Sequence, residues 1–263
     1  MDNSLIFNLA SLITSFYGLY KCSHIQLPQS LASAGQKQFL TNISLVATVS
    51  HNVVTLVLHL AKHLKGRRLQ KQYKEKAFAR ATASADEVHK LKDDPSTASP
   101  SNPDEQPCLL TQINRHVTLP LALVLESVVA TVYWPLRIFA IHLILQGVKS
   151  KSPIPLSVDV SIHLLPILYL LSDYYISGAS QRFKIPLAPA WAIVASIGLA
   201  YKFYLGFLID PSQGQKYPYP FLDVPEPYKS VIFVIVTSFG WLFYVGYRAW
   251  PPKEVSKERV KLD

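Results

Sequence analysis

Apolar and polar residues alternate along this chain in long blocks rather than residue by residue, and the block lengths are those of membrane crossings. Apolar runs occupy about 5–20, 38–61, 117–146, 158–177, 187–209 and 228–250, separated by stretches rich in charge, Pro and Gly. An α-helix of about 20 apolar residues crosses a bilayer core. The pattern therefore predicts an all-α, polytopic membrane bundle of six transmembrane helices forming one domain over 1–263. The third run is longer than a straight crossing needs. Pro135 is expected to kink it or mark its exit, with Tyr133 and Trp134 suited to the membrane interface and Arg137 able to snorkel.

The connections differ in kind. Residues 62–115 form the longest hydrophilic segment: KHLKGRRLQKQYKEKAFAR reads as a basic helix, whereas KDDPSTASPSNPDEQP has the Pro, Ser and Asp content of a disordered linker. Overall 49% of residues are apolar and 16% charged, and the net charge of +9 is concentrated between the blocks. Six crossings put both ends on one side, and most Lys and Arg fall on that side, in the 62–115 loop and the 251–263 tail. The excess of basic residues predicts cytosolic termini. No basic helix carries base-stacking aromatics, so a nucleic-acid partner is not expected. The first residues lack the positive start of a cleaved signal, and the first span is expected to be retained. Cys22 and Cys108 then lie on opposite sides and cannot pair. Asn42-Ile43-Ser44 matches a glycosylation sequon at a depth too shallow for modification. The basic Arg259–Asp263 end favours the endoplasmic reticulum, with the plasma membrane second.

Candidate chemistry sits where ionisable groups enter the spans, because such groups are costly in lipid unless they meet a partner or a wet cavity. The fourth span carries Asp159, His163 and Asp173. Asp159 and His163, four apart, share a helix face, an arrangement that can fix an imidazole tautomer. Thr41 opens the second span on the same side at a similar depth. A base could activate its hydroxyl, with Asp159 as third member; equally, Thr in a span commonly caps a helix or bonds a neighbour. Spacing alone does not decide between them. Tyr217-Pro218-Tyr219-Pro220-Phe221-Leu222-Asp223, also on that side, reads either as a rigid interfacial loop or as a cap over a lipid-entry site. Asn42, near the amides that open the second span, is a candidate support for a developing oxyanion. His51, Thr55 and His59 form one stripe that suits interhelix hydrogen bonds better than a metal. Glu126 is expected to pair with His51, line a cavity or carry a proton, and Asp173 to meet Arg182 or Lys184. No Cys cluster or HExxH indicates a metal site, and no cofactor is implied.

Phe39-Leu40-Thr41 at the start of the second span, His163 with Asp159 four before it, and Tyr219-Pro220-Phe221-Leu222 before the last span resemble the androgen-induced gene one family, which includes the androgen-dependent TFPI-regulating protein. The likeness follows the order and hydropathy of nearly the whole chain. Pro166 and the long 62–115 connection mark a divergent, fungal-type branch. The resemblance implies a membrane hydrolase of fatty acid esters of hydroxy fatty acids, with Thr41 as nucleophile, His163 as base and a lipid substrate drawn from the bilayer. Competing readings are a transporter or scaffold without catalysis, and an acyltransferase using the same pair; no internal repeat supports a transporter.

Overall fold

The computed structural model describes residues 3–82, 108–144, 154–177 and 181–253. Among them there is helix and no strand. The long helices are α1 (Asn3–Ser23), α2 (Leu40–Thr82), α3 (Leu119–Phe139), α4 (Leu156–His163), α5 (Leu165–Tyr175), α6 (Leu187–Leu208) and α7 (Tyr228–Ala249). Two further helical turns, Leu109–Ile113 and Asn114–Thr118, run directly into α3. The expected linker at 92–107 and most of the 251–263 tail lie outside the described residues.

Five segments are long and apolar enough to cross a membrane: Leu40–Glu75, Leu109–Phe139, Leu156–Tyr175, Leu187–Gln213 and Tyr228–Ala249. The first predicted span is not among them. Helix α1 has 21 residues, but its buried side is Ser4, Asn8, Ser11, Ser15, Gly18 and Cys22, a small and polar face that lowers its hydropathy. It nevertheless packs along α2, α4 and α5. Gly18 allows that approach, since a Cβ there would stand 2.3 Å from the Ile162 side chain.

Span boundaries shift where the backbone leaves the helix. Helix α3 passes through Pro135 and ends at Phe139, short of 146, because Ala140 adopts φ −148° and ψ 52°. The fourth span is two helices. Pro166 has no N–H to give to the turn before it, and Leu164 takes φ −126° between α4 and α5. Helix α2 continues without interruption through the basic run to Thr82, so the membrane crossing and the charged extension are one rod.

Polar side chains line the contact between α1, α2 and α3. Thr48 donates to Glu126 at 2.9 Å, Asn52 to Ser11 at 2.8 Å, and Asn114 to Thr55 at 2.8 Å. His51 Nδ1 lies 3.1 Å from Asn114 Oδ1. Each such bond between membrane helices is worth about 0.6 to 2 kcal/mol and fixes register. Glu126 therefore meets Thr48 and not His51. Asp173 does not reach out to Arg182 or Lys184: it is buried, with its carboxylate 3.9 Å from His51 Nε2, because its face of α5 is turned toward α1 and α2. His51 and Asp173 thus form a buried pair at the end of the bundle away from Thr41.

Candidate functional site

Helix α2 starts abruptly, and its start carries Thr41. The preceding segment folds back through Gly35, whose φ of +62° suits a residue without a Cβ. The buried Gln38 side chain then ties it down by donating to the carbonyls of Leu31 (2.9 Å) and Gly35 (2.8 Å). No residue precedes Leu40 and Thr41 in the helix to take their N–H groups, so these amides have no acceptor within the helix and turn to groups outside it. From the opposite side, the Pro166 break makes His163 the last residue of α4. Its carbonyl accepts the Trp134 indole N–H at 3.1 Å, which holds the backbone at the break.

These two helix ends meet. Thr41 Oγ1 lies 3.3 Å from His163 Nε2, with both side chains buried. On the other side of the ring, His163 Nδ1 lies 2.9 Å from Asp159 Oδ1. An ionised carboxylate only accepts, so Nδ1 carries the proton and donates it to Asp159. The lone pair of Nε2 is then directed at the Thr41 hydroxyl.

Asp159 is fully buried and takes two more donors from α3. Arg137 Nε donates to Oδ2 at 2.9 Å, and the Tyr133 hydroxyl donates to Oδ1. The ring of Tyr133 lies flat on the His163 imidazole, with centroids 3.4 Å apart and planes 3° from parallel. Two four-residue pairs thus interlock, Tyr133 with Arg137 on α3 and Asp159 with His163 on α4. Tyr133, Trp134 and Arg137, expected at the membrane interface, instead face the Asp159–His163 pair: Tyr133 the imidazole and the carboxylate, Arg137 the carboxylate and Trp134 the His163 carbonyl. Their spacing on one helix face was the available signal.

The 217–222 segment closes over this corner. Phe39 and Tyr219 meet edge to face at 6.0 Å, and Tyr219 and Phe221 stack at 5.3 Å. The Tyr219 phenol meets the Thr41 hydroxyl, and its oxygen accepts from the Leu40 and Thr41 amides. Burial pushes that phenol above its ordinary range, which keeps its proton in place as a donor. Tyr201 reinforces the start of α2 by donating to the Gln38 carbonyl at 2.8 Å. Pro220 begins the short helical turn Pro220–Leu222. Asn42 is turned away, with its amide nitrogen 2.7 Å from the Gln36 carbonyl and 3.2 Å from Gln36 Oε1. That same nitrogen is the one a glycan would need.

Below Thr41 a cavity of about 250 Å³ runs between α3 and the α6–α7 pair. Its walls are almost wholly aliphatic or aromatic, from Leu40, Thr41, Tyr133 and Tyr219 at one end to His116, Ile185 and Tyr244 at the other. Thr41 lines it and His163 does not. Among the described residues no cluster of three or more His, Cys, Asp or Glu could hold a metal ion. Cys22 is buried and Cys108 exposed, both free. A hydroxyl, a base of fixed tautomer, a buried carboxylate behind it, helix N-terminal amides and an apolar cavity make up the parts that acyl transfer through a covalent intermediate requires.

Comparison with known proteins adds a family. Residues 102–249 match the model of FAR-17a/AIG1-like proteins; this stretch contains His163 and the 217–222 segment, while Thr41 precedes it. The chain is 44% identical over 262 residues to the UPF0641 membrane protein YHR140W of Saccharomyces cerevisiae, covering 99% of this chain and 95% of that one. It is 28% identical over 124 residues to the UPF0641 membrane protein PJ4664.05 of Schizosaccharomyces pombe, covering 47% and 53%. No solved structure matches it.

Proposed function

The chain belongs to the FAR-17a/AIG1-like family, and from that premise we propose that this membrane protein is a hydrolase of lipid esters, such as fatty acid esters of hydroxy fatty acids, with Thr41 as nucleophile and His163 as general base. The observation that carries the proposal is the buried 3.3 Å contact between Thr41 Oγ1 and His163 Nε2 at the mouth of an apolar cavity.

In the reaction, the Thr41 oxygen bonds to the ester carbonyl carbon as its proton passes to Nε2 of His163. The resulting imidazolium is stabilised by Asp159, which Arg137 and the Tyr133 hydroxyl hold in place by hydrogen bonds. The oxyanion takes the place of the Tyr219 phenol oxygen at the Leu40 and Thr41 amides, and the displaced hydroxyl turns its proton to it, donors of the kind that carry most of the stabilisation in acyl transfer. The C–O bond to the alcohol breaks, the alcohol oxygen takes the proton from Nε2, and the acyl group remains on Thr41. A water molecule then gives a proton to Nε2 as its oxygen bonds to the acyl carbon; the bond from that carbon to the Thr41 oxygen breaks, the Thr41 oxygen takes the proton back from Nε2, and the free fatty acid is released.

In the same proposal α1 is the sixth crossing, both termini face the cytosol and the dyad lies near the opposite surface, where water arrives from outside the bilayer. The distribution of Lys and Arg supports that orientation, and the basic tail supports the endoplasmic reticulum. Replacing Thr41 or His163 by Ala in the purified protein should abolish hydrolysis of a palmitate ester of hydroxystearate and labelling by a fluorophosphonate, with unchanged folded yield. Hydrolysis at the wild-type rate by either variant would refute the proposal.

A further inference from the structure

The cavity beneath Thr41 distinguishes the two halves of an ester, and we propose that it is the binding site for the acyl half, taking one long, unbranched chain with its carbonyl at Thr41. This inference rests on the hydrolase reading above. Three observations carry it.

The first is which side of the dyad the cavity opens on. His163 must return its proton to the departing oxygen, so the alcohol half lies beside Nε2. Thr41 lines the cavity while His163 is absent from its wall. A chain inside it is therefore attached on the carbonyl side, and the alcohol half, whatever its structure, stays outside.

The second is shape. Pro120 and Tyr133 both line the cavity on α3, and thirteen residues of helix rise span about 20 Å. Each leaflet of a core of about 30 Å is one acyl chain, about 15 Å, deep, so a chain of bilayer length fits within that reach. A compact apolar cavity of about 150 Å³ accepts a single benzene; about 250 Å³ drawn out over such a length holds one chain in single file, not two.

The third is a narrowing halfway down. A Cβ on Gly240 would stand 3.2 Å from Val194, 3.5 Å from Val124 and 3.6 Å from Val128, so the walls from α3, α6 and α7 already meet closely beside Gly240, and a longer side chain there has to take its room from the cavity. By helix rise from Tyr133, that point is about 8 to 13 Å below the dyad. The opposite end is marked by His116, which is 9% exposed and whose Nδ1 has no hydrogen-bond partner. An unpaired imidazole rewards no methyl group, and this sets the far limit of the chain.

The test uses the full-length protein in phosphatidylcholine nanodiscs with 4-nitrophenyl butyrate and 4-nitrophenyl palmitate as probes, the readout being the ratio of kcat/KM for the two. Gly240→Leu, which plugs the narrowing from α7, should lower the palmitate-to-butyrate ratio at least tenfold. Val194→Trp fills the same point from α6 and should do likewise, so a folding defect confined to one helix does not undo the test. An unchanged ratio in both variants, with hydrolysis of both esters still dependent on Thr41, would overturn the acyl site and leave the hydrolase intact. Hydrolysis of both esters that persists in Thr41→Ala would instead remove the reading on which the site depends.

Discussion

Replacing Asp159 by Asn tests the proposed role of His163 most directly, because it changes the chemistry of one contact while keeping its shape. Asp159 Oδ1 accepts from His163 Nδ1 at 2.9 Å. An Asn amide presenting its nitrogen there would donate instead, and the ring would have to move its proton to Nε2. The Thr41 hydroxyl would then face an N–H in place of a lone pair. In a serine-hydrolase triad the equivalent exchange costs about ten-thousandfold in kcat, or about 5.5 kcal/mol at 1.36 kcal/mol per tenfold. The same tautomer argument holds here, and the expected loss is about a thousandfold to ten-thousandfold.

The variant also leaves Arg137 facing a neutral side chain, and breaking one half of a buried pair costs up to about 3 to 5 kcal/mol. With 25% of the Arg137 side chain exposed, it can turn toward the surface and recover part of that. The double variant Arg137→Met, Asp159→Asn should therefore be more stable than Asp159→Asn alone and equally inactive. Thermal unfolding in detergent and single-turnover ester hydrolysis measure the two quantities separately. A rate for Asp159→Asn within threefold of wild type would refute the tautomer argument and reduce Asp159 to an anchor for Arg137. Recovery of activity in the double variant would also refute it, since the tautomer would remain wrong.

Three further outcomes are expected. Tyr219→Phe should lower kcat about tenfold to a hundredfold by removing one oxyanion donor. Because burial raises the Tyr219 phenol above its ordinary value of 10.0, the donor keeps its proton at every lower pH, and the deficit should be the same from pH 6 to 9; a deficit that vanishes toward pH 9 contradicts this. Thr48→Val removes one donor from buried Glu126, which also meets Ser44, at a cost of about 1 to 3 kcal/mol; the unfolding midpoint should fall while the folded protein keeps its hydrolysis rate, and an unchanged midpoint would count against the bond. Incubation with EDTA should leave hydrolysis unaltered, and loss of activity restored by a divalent metal would reveal a site of another kind.

The parts of this site differ in how legible they were. Asp159 and His163 advertise themselves, since ionisable residues one turn apart in an apolar run have few reasons to be there. The extent of the helices was readable too, except where the backbone depended on one residue: Pro166 divides the fourth span just after His163, and the polar face of α1 removes it from the apolar crossings. Tyr133, Trp134 and Arg137 were misread because an aromatic pair with an Arg near a span end looks the same whether it faces headgroups or a buried carboxylate. Only the packing of α3 on α4 distinguishes the two. Asp173 was misread for a related reason: its nearest cations in sequence are on the next loop, while its partner His51 is on a helix more than a hundred residues earlier. The cavity left no signature, because most of its lining is the aliphatic and aromatic surface that any apolar span presents.

The polar face of α1 bears on how the chain is made. A segment presenting Ser4, Asn8, Ser11 and Ser15 on one side gains little by partitioning from the translocon into lipid on its own. Asn52 on α2 donates to Ser11, so part of that polar face is satisfied only once α2 packs against it. The first two helices thus depend on each other as a hairpin with Thr41 just past its bend, and this local pairing sets the start of α2 independently of His163, which lies 122 residues further along the chain.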